Sequence, residues 1–327
     1  MSHNINEDRV MVVGEPAWHG IGRVLDKPAT AAEAIEAAKL DYTVEKSVEP
    51  VYAKSASGAE IEIPGEYGIF RTDTKEGFKC VGNRYQIVQN RDAFGFFDSI
   101  VGEGQAIYHT AGALGKGEKV WILAKLPDDI IVKGVDIVEK NLTLVNTHDG
   151  SSPLQMFFSP VRVVCQNTLS AALGQKTNEV RIRHTGNILR KVEVARESLK
   201  LAVNYYSDFE QIIDRLASYD MNVEQAEGFF NGILFGEDEA DDERTKLMSQ
   251  RDKMLTLFER GMGNDMQKIR HTAWAALNSV TEFIDHHRAY KKQDQQPTKR
   301  LSEIWFGSGA DLREKAFASI ISIAGLN

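Results

Sequence analysis

Residues 106–126 read AIYHTAGALGKGEKVWILAKL. Two apolar runs, 106–114 and 119–126, flank Gly-Lys-Gly-Glu, and that punctuation predicts a β-hairpin. The glycines at 112, 115 and 117 do not form a phosphate-binding loop. Lys116 is followed by Gly117, where that motif needs Ser or Thr, and strands lie on both sides. Working outward, IVKGVDIVEKNLTLVNTHDG (131–150) predicts one or two more strands ending in a turn at Asp149-Gly150. SSPLQMFFSPVRVVC (151–165) predicts another, with Pro153 and Pro160 at strand ends or on an edge. QNTLSAALG then switches to helical spacing and stops at Gly174, a candidate C-cap.

Upstream, ATAAEAIEAAKL (29–40) predicts a short helix capped by Thr30. Strand-like alternation follows in 41–53 and 60–70, with Ser-Ala-Ser-Gly as the turn between them. GFKCVGNRYQIVQN (77–90) adds a strand and a loop centred on Gly82-Asn83-Arg84, and Asn90 is placed to cap a helix with Phe94, Phe97 and Ile100 on one face. After a short polar strand, EVRIRH (179–184), the chain reads mainly as helix: a long amphipathic one over 187–218, an acidic loop GEDEADDER (236–244), helix over 254–290, a polar linker over 291–300 and a small helical terminus. Runs of strands followed by helices predict an α+β fold: an antiparallel, hairpin-rich sheet packed by helices over 1–185, then a mainly helical region over 186–327.

No apolar run approaches the ~18–20 residues of a membrane helix. The first residues lack the basic and apolar regions of a secretory leader. Two cysteines, Cys80 and Cys165, with no C-x-x-C pair, suit free thiols in a reducing cytoplasm and argue against structural zinc. The net charge of −8 hides an asymmetry: Arg162–Lys200 carries eight Lys/Arg against three Glu, so that stretch is basic within an acidic chain.

Four chemistries are weighed on these residues. A nucleophile reading pairs Cys165 or Ser152 with His148 and Asp149, but adjacent residues at a turn do not line up as base and orienter. A metal reading uses His148 and Asp149 or the Asp285-His286-His287 triplet, which instead reads as the basic C-terminal end of a helix. Neither metal nor cofactor is expected. An enzyme through His19, His148, Asp149 and Cys165 stays as an alternative, as does a host-protein antagonist using the acidic surface and loop 236–244. The favoured reading is single-stranded nucleic-acid binding. Arg162, Lys176, Arg181, Arg183, Arg190 and Lys191 would contact phosphates, with Arg196 in the same basic stretch. Asn83, Arg84 and Tyr85 would contact base or phosphate, and His184, Tyr108, Trp121 and Phe158 would stack if exposed.

PAWHGIG (16–22), VGNRYQIVQN (81–90), SPVRVVCQNTL (159–169), TAWAALNSVTEFIDHH (272–287) and WFGSG (305–309) together resemble the phage/plasmid-like protein family, domain of unknown function 932. That resemblance implies a gene of a bacterial phage or other mobile element. The order of a hairpin-rich sheet, a helix and a basic segment also resembles single-strand annealing proteins of the Rad fifty-two type. This second likeness implies a DNA-holding basic groove and a homo-oligomer acting in recombination, without an enzymatic step.

Overall fold

The central hairpin forms as read: Ile107–Leu114 pairs antiparallel with Lys119–Lys125, Gly112 opposite Trp121 and Leu114 opposite Lys119. The structure is a computed structural model, and it describes residues 5–14, 23–27, 29–101, 107–162, 167–168, 179–186, 204–236, 241–289, 303–304 and 307–326. The chain divides into two units. Unit 1 is Met1–Leu126, Leu142–Phe157 and Glu179–Leu201; unit 2 is Pro127–Asn141, Phe158–Asn178 and Ala202–Asn327. The chain thus passes between units more than once, and not at a single point near residue 185.

In chain order the strands are β1 (Ile5–Val13), β2 (Arg23–Leu25), β3 (Val44–Lys46), β4 (Val51–Lys54), β5 (Glu60–Ile63), β6 (Glu66–Arg71), β7 (Gly77–Gly82), β8 (Ile107–Leu114) and β9 (Lys119–Lys125). They continue as β10 (Ile130–Val132), β11 (Asp136–Glu139), β12 (Asn141–Thr147), β13 (Leu154–Phe158), β14 (Val161–Arg162), β15 (Asn167–Thr168) and β16 (Glu179–Ile182). The helices are α1 (Ala31–Ala37), α2 (Asn90–Val101), α3 (Asn204–Leu216), α4 (Val223–Leu234), α5 (Asp241–Arg260), α6 (Ala273–Glu282) and α7 (Ser308–Ile323).

Unit 1 is built on a seven-stranded sheet, β16-β13-β12-β9-β8-β1-β2, antiparallel at β1·β8, β8·β9 and β13·β16 and parallel at β1·β2. Gly112 permits a close approach here: a Cβ on it would lie 2.9 Å from the Trp121 ring and 3.1 Å from the Arg9 carbonyl. Every residue of β12 is buried, so its polar side chains need partners inside the fold; Asn146 donates to the Val88 carbonyl at 2.9 Å. Helix α1 starts where the sequence says. Thr30 Oγ1 accepts from the Glu33 N–H and Glu33 Oε2 accepts from the Thr30 N–H, a complete capping box. Helix α2 begins at Asn90 and buries Phe94 and Phe97. A smaller antiparallel sheet, β3-β6-β7, and a two-stranded ribbon, β4-β5, complete the unit.

Unit 2 holds the antiparallel sheet β10-β11-β14-β15 and the helices α3 to α7. Here the structure corrects the sequence reading in three places, and at a fourth it describes only part of the element. Asn167–Thr168 pairs with Val161–Arg162 as a strand rather than opening a helix. Of the long helix expected over 187–218, the part from Asn204 is seen, ending at Leu216; 187–203 lie outside the described residues. Asp241, Asp242 and Glu243, read as loop, form the first turn of α5, where carboxylates complement the helix dipole. Residues 264–272 form turns rather than helix, and α6 starts afresh at Thr272, whose hydroxyl accepts from Ala275 N–H. Helix α6 is buried on all sides and runs into a π-helical turn, Phe283–His287. Among the described residues no helix is long and apolar enough to cross a membrane.

Candidate nucleic-acid interface

The loop after β7 is pinned from several directions. Tyr85 N–H donates to the Gly82 carbonyl at 3.0 Å, which closes the turn. The Lys46 ammonium donates to the carbonyls of Asn83 and Tyr85 at 3.0 and 3.1 Å and lies over the Tyr67 ring. Gln86 N–H donates to the His184 carbonyl at 2.7 Å, and Tyr85 bridges Thr185 in antiparallel sense. Two stretches about a hundred residues apart, 83–86 and 183–185, are therefore joined through the backbone.

Tyr85 and His184 form the joint. Their rings stack at 4.9 Å and 19°, and the Tyr85 hydroxyl donates to the Thr147 carbonyl at 2.8 Å. His184 Nδ1 lies 3.1 Å from the Gln86 carbonyl. A carbonyl only accepts, so Nδ1 carries the proton. Burial pushes the His184 pKa down, against the opposing pull of the Gln86 carbonyl and Asp149. Burial likewise pushes the Tyr85 hydroxyl up, with Asp149 adding to the shift. Asp149 thus marks a negative border beside this joint.

Strand β16 alternates. Ile182 and His184 turn inward, at 4% and 5% exposure, while Arg181 and Arg183 are exposed. Asn83 and Arg84 are exposed as well. Of the residues chosen from sequence, the structure brings Asn83, Arg84, Tyr85, Arg181 and Arg183 to one edge of unit 1. Tyr85 serves there as a half-buried support, its ring and hydroxyl both engaged within the chain. Lys176, Arg190, Lys191 and Arg196 lie outside the described residues, as do His19 and Cys165. Sequence reasoning missed Lys46, whose only signal is its place at the end of a strand.

Arg162 is the main correction. It sits in unit 2 with none of its surface exposed. Its Nε donates to Asp136 Oδ2 at 2.7 Å, and its outer nitrogens donate to the Met262 and Gly263 carbonyls and to Asn264 Oδ1, each at 3.0 Å. Trp274 Nε1 donates to the same Asp136 oxygen at 2.9 Å. Arg162 fastens β11 and β14 to the 261–264 turn and is not a phosphate contact. Tyr108, Trp121 and Phe158 are buried too and are core rather than stacking platforms; Phe158 stacks on Tyr205 at 4.8 Å.

Of the residues named for the chemical alternatives, His148, Asp149 and Asp285 are engaged within the fold. His148 has no exposed surface, and its Nε2 is 2.8 Å from Asn90 Oδ1. Asn90 Nδ2 donates to the Leu40 carbonyl, which fixes that amide's orientation, so the imidazole proton is on Nε2. The Asn90 side chain is engaged there rather than as a helix cap. Burial, then the nearby His184, depress the His148 pKa to about 3, so the ring is neutral. Asp149 turns away to accept from the Ser151 N–H and hydroxyl; it does not orient His148. Asp285 is buried and paired with Arg313, and His287 is 3.8 Å from Glu282. Among the described residues no group of three or more His, Cys, Asp or Glu is arranged to hold a metal ion. The hairpin tip is also filled from within: Tyr42 hydroxyl donates to the Gly117 carbonyl at 2.6 Å and Arg71 to the Lys116 carbonyl at 2.8 Å.

An α+β protein with an exposed arginine edge and two buried polar clusters is the class these features define. The chain matches the model of the domain of unknown function DUF932 over residues 78–305 and belongs to that family. No curated protein and no solved structure matches it.

Proposed function

We propose that the protein binds single-stranded nucleic acid along the edge that carries Arg84, Arg181 and Arg183. One observation carries the reading: the backbone joint between 83–86 and 183–185 gathers exposed guanidinium groups from two distant stretches onto one edge of an otherwise acidic chain. Guanidinium groups suit phosphate because they are always charged and present paired donors. The function is annealing in the recombination of a phage or plasmid, and no nucleophile is required for it. Cations relieve phosphate repulsion, the bases stay outward, and complementary pairing does the rest.

The test is fluorescence anisotropy of a labelled oligonucleotide, single- against double-stranded, over a salt series. Preference for the single strand with a steep negative log–log salt slope is the expected result. Absence of binding at low salt sinks the proposal. Equal affinity of wild type and the Arg181→Ala/Arg183→Ala variant removes this edge as the site.

A further inference from the structure

Two strands of unit 1 end their sheets and carry matching patterns. Among the described residues, strand β16 is terminal in the seven-stranded order, and β5 pairs with β4 alone in a two-stranded ribbon. Strand β5 and the residue pattern around β16 read Glu60-Ile61-Glu62-Ile63 and Val180-Arg181-Ile182-Arg183. Both alternate apolar with charged residues, and the charges are opposite. Ile61 and Ile63 are 52% and 38% exposed, large values for isoleucines on a formed strand. A two-stranded ribbon is marginal by itself in water and gains most from a further strand or an apolar cover.

We propose that β5 of one copy adds antiparallel to β16 of a second copy. One register satisfies every position: Glu60 opposite Arg183, Ile61 opposite Ile182, Glu62 opposite Arg181, and Ile63 opposite Val180. Side chains directly opposite in antiparallel strands share a face, so the carboxylates meet guanidiniums on one side of the sheet. The isoleucines fall on the other side. That side already carries Leu154 and Met156 of β13, which are buried and stand opposite Ile182 and Val180. The added strand would continue this apolar face and cover Ile61 and Ile63.

The charges oppose one like pairing: β5 against β5 sets Glu against Glu or Ile. Strand β16 against itself can set Glu179 opposite Arg181, and that contact would survive changes in β5, so the Glu60→Lys/Glu62→Lys variant below separates it from the crossed pairing. Each copy carries both halves, so the contact is head-to-tail. It stands on the strands alone and not on the nucleic-acid reading, and its test contains no nucleic acid.

The experiment is sedimentation velocity on three full-length proteins: wild type, Glu60→Lys/Glu62→Lys, and Arg181→Glu/Arg183→Glu. At about 50 µM, where a micromolar contact is well populated, wild type sediments in species larger than the monomer. Each variant alone sediments as a monomer, because its two strands now repel. An equimolar mixture of the two variants regains assembly, because the introduced lysines of one then face the introduced glutamates of the other. A misfolded variant would not be rescued by mixing. Monomeric wild type, assembly of either variant alone, or a mixture that stays monomeric each overturns the proposal.

Discussion

Arg162 and Arg183 lie in the same basic stretch, and both follow a valine or isoleucine on a strand. In unit 2, Arg162 is sealed among Asp136, Asn264 and two carbonyls. In unit 1, Arg183 is exposed beside the loop that holds Arg84. Identical residue types at similar spacing therefore serve opposite ends. The difference is made by partners elsewhere in the chain. A carboxylate at 136 and an asparagine at 264 draw one arginine inside, and an inward Ile182 and His184 turn the other out.

The largest effect is expected from breaking the sealed side. Arg162→Ala leaves the Asp136 carboxylate buried with Trp274 as its remaining donor among the bonds described above. Loss of one member of a buried pair costs about 3–5 kcal/mol. Urea unfolding should show it; a change below about 1 kcal/mol would mean that Asp136 finds water or another partner. Replacing both members, as Arg162→Met with Asp136→Leu, should cost far less than the single change.

The second effect concerns the buried imidazole of unit 1. The His148 pKa is about 3 when folded against an ordinary 6.5. As pH falls, the unfolded chain takes up this proton first. The stabilisation is complete above about pH 6.5 and is lost as pH falls toward 3, amounting to about 2 kcal/mol by pH 5. His184 shifts in the same direction. Urea midpoints at pH 7.5 and 5 should therefore diverge in wild type and converge partly in His148→Gln, the remainder belonging to His184. An unchanged gap in the variant would locate the titration elsewhere.

On the exposed side the effects are on binding rather than stability. Arg181→Ala/Arg183→Ala should reduce the log–log salt slope for single-stranded DNA by about 1.4, two phosphates at about 0.7 each. Its urea midpoint should shift by no more than about 0.5 kcal/mol, as for surface positions generally. The smallest change is expected of Lys46→Met. It removes the ammonium that holds the Asn83 and Tyr85 carbonyls, so amide exchange in 83–86 should quicken while affinity falls less than in the double arginine variant. Unaltered exchange would show that the Tyr85–His184 stack holds the loop without help.

Much of the local structure was legible. Although the run 60–70, read as one, is two strands, β5 and β6, turn residues and alternation located the turn between β4 and β5, the hairpin β8-β9 and β16, and Thr30 marked the start of α1. These are signals carried by neighbours in sequence. Less legible was anything decided by distant partners. Nothing near Arg162 announces Asp136 or Asn264, and the apolar runs that mark Tyr108 and Trp121 as strand residues do not say which faces of β8 and β9 are covered. Helix α4 went unread although Asn222 and Gln225 form a capping box, because the glycines at 228 and 232 weaken its helical pattern. For the candidate site, the residue types were visible and their meeting was not. The joint between Gln86 and His184 is made by backbone groups, which every residue possesses.

The interleaving of the two units bears on how the protein is made. The seven-stranded sheet needs β16, so it cannot close until the ribosome has released residue 182, by which point β10, β11, β14 and β15 have also emerged. Every segment of unit 1 has been made once residue 201 has emerged, while unit 2 still awaits α3 to α7. A gene fragment ending near residue 185 would retain every strand described here but strip α3 to α7 from the unit 2 sheet. Such a fragment should accumulate as insoluble protein, because the strands of unit 2 would be made without the helices that cover them.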